Sequence, residues 1–200
     1  MAVFLLEYSY MKTIGVDEVG RGCLAGPVAA AAVLLDDSSI STLAGLHLTD
    51  SKAMTKLQRE KAYAVITKTA LAYGVGWVFP AEIDKNGLTE AVRSAMQQAV
   101  SAITKDYDEI IIDGNYNFLK DNPKTRTLIK ADLTEISVSA ASVVAKVERD
   151  RYMKEQSLIH VGYGFDAHVG YGTLAHMKAL RELGPCILHR RSVKPVAALI

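Results

Sequence analysis

Cysteine is scarce: Cys23 and Cys186 are the only two in 200 residues. Two thiols build neither a disulfide framework nor a zinc set, which points to a reducing compartment. Long apolar runs are missing too. The longest, Leu24 to Leu35, contains Pro27 and is too short to span a bilayer. The opening MAVFLLEYSY lacks a basic leader and a cleavage site, so a soluble cytoplasmic protein with no membrane association is expected. No internal repeat or low-complexity block stands out, and G-x-x-x-x-G-K-[ST] is absent, which argues against a P-loop. The net charge of +1 names no partner.

What is present is apolar mass. Half of the residues are hydrophobic, enough for one sizeable core. Met11 begins MKTIGVDE, so residues 1–11 read as an N-terminal extension and 12–200 as a single domain with a helical segment from about 160. Charge is unevenly spread. Acids dominate before position 51, and Lys178, Arg181, Arg190, Arg191 and Lys194 dominate after 175. That asymmetry fits an acidic metal site beside a basic surface for a polyanion, or an ordinary solvated surface.

The pattern predicts an α/β fold. KTIGVDEV (12–19) and VAAAAVLL (28–35) read as strands around a glycine-rich turn, with Asp36 to Ser39 as a terminating turn. Thr55 and Gln58 form a capping box ahead of a helix over 56–72. GVGWVF (74–79) suggests a strand, 88–104 an amphipathic helix, and DEIIIDG and TRTLIK two further strands. Helices are expected over 134–157 and 172–183. Early strands joined by short connections pair antiparallel, and the later helical crossover suits a parallel pair, giving a mixed sheet flanked by helices.

Asp17 and Glu18 interrupt an apolar strand, and Asp113 follows Ile110, Ile111 and Ile112. A carboxylate beside a core is costly without a partner, and a bound cation offsets that cost. Neighbouring strand residues point to opposite faces, so Asp17 and Glu18 serve one site only at a strand end, bulge or edge. Acids from separate strands suit a pair of Mg2+ ions roughly 3.5–4 Å apart that cleave a phosphodiester. Asp132 is the candidate fourth acid, with a helix N-cap as its rival role. The alternative for the others is turn capping, or pairing with Arg21, Lys52 or Lys146.

Gly20 to Ala25 also matches G-x-G-x-x-A, a dinucleotide fingerprint that requires a helix to follow; here Gly26, Pro27 and a strand-like run follow. In a nuclease the same glycines let the backbone approach a sugar-phosphate, and Arg21 grips phosphate. A nucleotide-dependent oxidoreductase and a non-catalytic nucleic-acid-binding module therefore stand beside the nuclease reading.

Several separated motifs then converge. GVDEVGRG (15–22), AGPV (25–28), TDSK (49–52), IDGN (112–115), KAD (130–132), SAASVVAKVERDRYM (139–153), HVGYGTLAHMKAL (168–180) and HRRSVKP (189–195) together resemble ribonuclease HII, the type 2 ribonuclease H family, over about 12–196. Val19, Val193 and Ala131 depart from residues frequent in that family. The resemblance implies a ribonuclease-H-like mixed five-stranded sheet with a helical C-terminal portion. It implies cutting of RNA–DNA hybrids, and of DNA duplexes containing ribonucleotides, 5′ of the ribonucleotide, with Mn2+ or Mg2+. It carries metal binding and catalysis to Asp17, Glu18, Asp113 and Asp132, and sensing of the ribose 2′-hydroxyl to Gly20, Arg21 and Gly22. It carries packing on the following sugar to Tyr171.

Lys52 and Lys146 are expected to meet phosphate as point charges. Ser139, Ser142 and Lys146 share a helix face. His168 and His176 flank GYGT and are expected to face the nucleic acid, with Arg190, Arg191 and Lys194 on its backbone. Cys23 reads as packing. A monomer is expected, and no feature decides on a sliding-clamp partner.

Overall fold

The computed structural model describes residues 11–46, 48, 51 and 53–200, so all of the N-terminal extension but Met11, and Lys52, lie outside the described residues. Among the described residues the sheet has five strands: β1 (Thr13–Val19), β2 (Val28–Leu35), β3 (Ala72–Val78), β4 (Glu109–Asp113) and β5 (Thr125–Leu128). Their spatial order is β3-β2-β1-β4-β5. The pairs β1/β2 and β2/β3 are antiparallel, whereas β1/β4 and β4/β5 are parallel. This is the mixed sheet expected from connection lengths.

Helices α1 (Asp37–Ala44) and α2 (Lys56–Thr69) follow β2, and α3 (Pro80–Asn86) and α4 (Leu88–Ser101) link β3 to β4. After β5 come α5 (Ala131–Thr134) and the long α6 (Ile136–Ile159). The C-terminal part holds α7 (Phe165–His168), α8 (Leu174–Leu183) and α9 (Lys194–Ala197). Among the described residues no helix is long and apolar enough to cross a membrane.

Strand alternation divides the core. Ile14, Val16, Ile110 and Ile112 pack on Val92 and Met96 of α4. Ala31, Val33 and Leu35 face the other way, onto Ile66 of α2 and Ala141 and Val144 of α6. With both faces covered, β2 has no polar side, which explains its unbroken apolar run.

Three local expectations shift. The Asp36–Ser39 stretch opens a helix: the Asp36 carboxylate accepts from the Ser39 N–H at 2.8 Å, an N-cap for α1. The long helix expected over 134–157 is present as α6, but it starts at Ile136, because Glu135 is extended (φ −113°, ψ 113°) and separates it from the short α5. TRTLIK leaves the sheet at Leu128, and Lys130 takes a left-handed conformation (φ 59°) that turns the chain into α5. The capping box at Thr55 and Gln58 is present in both directions.

Candidate active site

Strand parity puts two of the acids on one side. A Cβ on Gly15 would point into the backbone of Ser137 and Val138 in α6, so that residue faces α6. Asp17, two residues on, shares its side. Ile111 packs with Ala131 and Val138, again on the α6 side, and Asp113 is two residues beyond. The parallel register pairs Val16 with Ile112, so Asp17 and Asp113 stand one step past the last pair on adjacent strands.

Asp17 is 9% exposed. Burial is the largest influence on its carboxyl, followed by the like charge of Glu18. Together with Asp113, and against hydrogen bonds from the Ser142 side chain and the Glu18 N–H, they push its pKa from 3.8 up to about 8. The Glu18 N–H donates to Asp17 Oδ1 at 2.7 Å. Glu18, near the strand end, pairs with Arg21 at 3.2 Å.

Asp17 and Glu18 line a cavity of about 400 Å³ together with Ser51, Arg59, Ser142, Lys146 and Tyr171. Asp113 lines a second concavity of about 280 Å³ with Arg21, Gly114 and Asn115. Arg21 lines the second and pairs with Glu18 of the first. Asp113 accepts the Ala131 N–H at 2.8 Å and so caps α5, while the N-cap position of the long α6, the role weighed for Asp132, is held by Glu135. Asp132 sits half-buried in the first turn of α5, and its carbonyl accepts from the Ser139 hydroxyl at 2.7 Å. Among the described residues no three His, Cys, Asp or Glu side chains are placed to hold one metal ion. The donors are nonetheless of the right chemistry for Mg2+ or Mn2+. They are carboxylate oxygens, one buried and raised by its neighbours' charge, and a divalent cation would relieve that cost.

Lys146 donates to Asp150 at 2.8 Å, and its ammonium lies 5.8 Å from the Tyr171 ring centre. Tyr171 forms an isolated antiparallel bridge to Cys23, which holds its loop against the glycine turn. Gly20 has φ +89°, and a Cβ there would lie 2.4 Å from Arg149 Nε and 2.8 Å from the Pro27 carbonyl. Gly22 meets no such limit, since nothing lies within 4 Å of its Cβ position. The turn runs into β2 rather than a helix, which removes the dinucleotide reading of G-x-G-x-x-A.

Some expectations are corrected. His168 and His176 do not face outward; they are 8% and 0% exposed and stack with ring centres 4.2 Å apart. Arg190 is not part of a basic surface, being 1% exposed. Arg59 of the cavity was not singled out in the sequence; it donates to the carbonyls of Ser51 and Met54. Arg149 was also missed. Its signal was its place in the stripe Ala145, Arg149, Met153, all wholly buried, where a charge needs partners.

Comparison with known proteins decides the family. The family model for Ribonuclease HII matches residues 14–196. The chain belongs to the ribonuclease HII family. Ribonuclease HII of Shouchella clausii (strain KSM-K16) is 43% identical over 194 residues, covering 96% of this chain and 72% of that protein. The crystal structure of the ribonuclease H2 from Pyrococcus horikoshii OT3 superposes with a TM-score of 0.84 at 27% identity, covering 94% of this chain and 97% of that one. Bst-RNase HIII in complex with Mn2+ shares the fold at a TM-score of 0.72 and 21% identity, covering 94% of this chain and 68% of that one. This member of the family is thus a hydrolase, a metal-dependent ribonuclease H acting as an endonuclease on RNA–DNA hybrids.

Proposed function

We propose that the enzyme cuts on the 5′ side of a ribonucleotide, in RNA–DNA hybrids and at single ribonucleotides embedded in duplex DNA, leaving a 3′-hydroxyl and a 5′-phosphate. In this reading Asp17, Glu18, Asp113 and Asp132 hold two divalent cations, Mn2+ or Mg2+, in the substrate complex. The scissile phosphate supplies the oxygen ligands that complete the set. The observation that carries the reading is the placing of Asp17 and Asp113 on adjacent parallel strands, one step past the last β1/β4 pair and on the α6 side, with the Asp17 carboxyl raised by burial and by its acidic neighbours.

Bound there, the cations would lower the pKa of an attacking water and neutralise charge on the phosphate. The water oxygen forms the new bond to phosphorus. The bond to O3′ of the preceding nucleotide breaks, and that oxygen leaves as a hydroxyl. When the preceding nucleotide is deoxyribose no 2′-hydroxyl adjoins the leaving O3′, so the ribose is read and does not attack. Backbone N–H groups of the Gly20–Gly22 turn suit that reading, because a 2′-hydroxyl distinguishes RNA from DNA. Tyr171 packs on the next sugar, and Lys146 offers a point charge to the phosphate.

A duplex with one ribonucleotide tests this directly. With Mn2+, the ion named for the Bst-RNase HIII structure, a nick is expected 5′ of that ribonucleotide, and a chelator abolishes it. Binding with no nick would leave only a nucleic-acid-binding module. Tyr171→Ala is expected to lower junction cutting about tenfold, the equivalent of about 1.4 kcal/mol of lost packing, while calorimetry shows Mn2+ binding unchanged. Junction cutting at the wild-type rate would remove Tyr171 from the site.

A further inference from the structure

The HRR segment (189–191) reads in sequence as a basic surface, yet its first two residues are buried, at 2% and 1% exposed. Arg190 spends its guanidinium on backbone. Nε donates to the Gly26 carbonyl at 3.0 Å, Nη1 to Arg21 at 3.0 Å and Nη2 to Gly20 at 2.6 Å. Among the described residues no carboxylate lies within ion-pairing distance of it. Burial lowers its pKa to about 10, so it stays charged at neutral pH. A buried charge with no ion-pair partner carries a desolvation cost that a neutral side chain would not.

What Arg190 holds has a geometric consequence. In a planar trans peptide the carbonyl of one residue and the N–H of the next point in opposite directions. With the Gly20 and Arg21 carbonyls turned inward to Arg190, the N–H groups of Arg21 and Gly22 turn outward. Both residues are exposed. The guanidinium thus aims two backbone donors away from the protein body.

The neighbouring His189 reaches the other half of the site. The Cys186 N–H donates to His189 Nδ1 at 3.0 Å, which places the His189 proton on Nε2. That proton goes to His176 Nε2 at 3.1 Å, leaving His176 Nδ1 to donate to the Tyr171 carbonyl at 2.9 Å. The relay works only while both rings are neutral. Burial, the largest cause, and the His176 ring hold His189 at a pKa of about 4, so it stays neutral at physiological pH. Two consecutive residues therefore hold the glycine turn and the Tyr171 backbone.

We propose that Arg190 and His189 are positioning residues for ribonucleotide selection: Arg190 orients the N–H groups of Arg21 and Gly22 toward the ribose 2′-hydroxyl, and His189, through His176, fixes Tyr171 against the following sugar. This rests on the reading above that the turn and Tyr171 contact the ribonucleotide. Both act through the backbone they hold, Arg190 directly and His189 through His176.

The test compares single-turnover rates on a duplex with one ribonucleotide and on a continuous RNA–DNA hybrid, with Mn2+ binding followed by calorimetry. Arg190→Gln is expected to lower the single-turnover rate on the single-ribonucleotide duplex about 100-fold, the scale of an ångström-sized misplacement, with Mn2+ affinity unchanged. Arg190→Lys is expected not to restore it, because one ammonium does not span three carbonyls; a role that needed only buried positive charge would be rescued. His189→Phe keeps the ring packing and removes the relay. It is expected to cut the ratio of junction to hybrid cleavage about tenfold, a ratio that a loss of folded enzyme leaves unmoved. A wild-type single-turnover rate in Arg190→Lys, or an unchanged ratio in His189→Phe, overturns the proposal; if the arginine variants fail to fold, the histidine variant decides. Failure of the wild type to nick the single-ribonucleotide duplex would instead refute the underlying reading, before any variant is compared.

Discussion

Asp17→Asn is expected to yield a metal-free protein more stable than the wild type and almost without activity. The wild-type carboxyl keeps its proton in the fold to about pH 8, whereas the unfolded reference lies at 3.8. Between those values the unfolded state binds fewer protons, so the stability of the metal-free enzyme falls as pH rises through that window. A shift of that size corresponds to several kcal/mol. Asparagine carries no such charge, so the variant's advantage in Tm grows from pH 4 to pH 8. Mn2+ reverses the order: it raises the wild-type Tm most at pH 8 and raises that of Asp17→Asn little. Cutting falls by at least about 10³-fold, since a cation's several kcal/mol of charge stabilisation is lost. Asp113→Asn shares the activity loss and also weakens the bond to the Ala131 N–H, because a neutral amide oxygen is a poorer acceptor. Thermal melts at several pH values, with and without Mn2+, and a nicking assay check both halves. Near-wild-type cutting by Asp17→Asn would remove it from the metal set.

Gly15→Ala is expected to destabilise the protein by more than about 3 kcal/mol, read as a shift in the urea midpoint. The added Cβ would lie 2.1 Å from the Ser137 carbonyl carbon, 2.2 Å from its oxygen and 2.3 Å from the Val138 nitrogen. These are backbone atoms in the first turn of α6, so no rotamer change relieves the clash; the helix must lift away from β1. Lifting it opens the layer where Ala141 and Val144 meet β2 and draws Ser142 away from Asp17. Gly22→Ala is the contrast, with open space at its Cβ position and no expected change in midpoint. A wild-type midpoint in Gly15→Ala would mean that β1 and α6 are not in backbone contact.

Both results trace to features that differ in how far the sequence reveals them. The strand ending in Asp113 was legible because Ile110, Ile111 and Ile112 precede the acid, and the capping box at Thr55 because its two partners lie three residues apart. The α1 helix was not, because Asp36 and the two serines after Asp37 signal a turn and an N-cap equally well. The break at Glu135 was hidden for a similar reason: the Asp113 carboxylate that caps α5 comes from a strand 18 residues earlier.

The linear order of residues, by itself, determined the mixed sheet, the acids that interrupt or end its apolar strands and the glycines of the turn, because these depend on periodicity and spacing along the chain. The tertiary structure alone decided which acids stand on adjacent strands, through the parallel register of β1 and β4. It also decided that Arg149, Arg190, His168, His176 and His189 lie inside. A buried polar group takes partners wherever the fold brings carbonyls and rings together, and those partners, such as Gly20 for Arg190 at 170 positions' distance, carry no local signal.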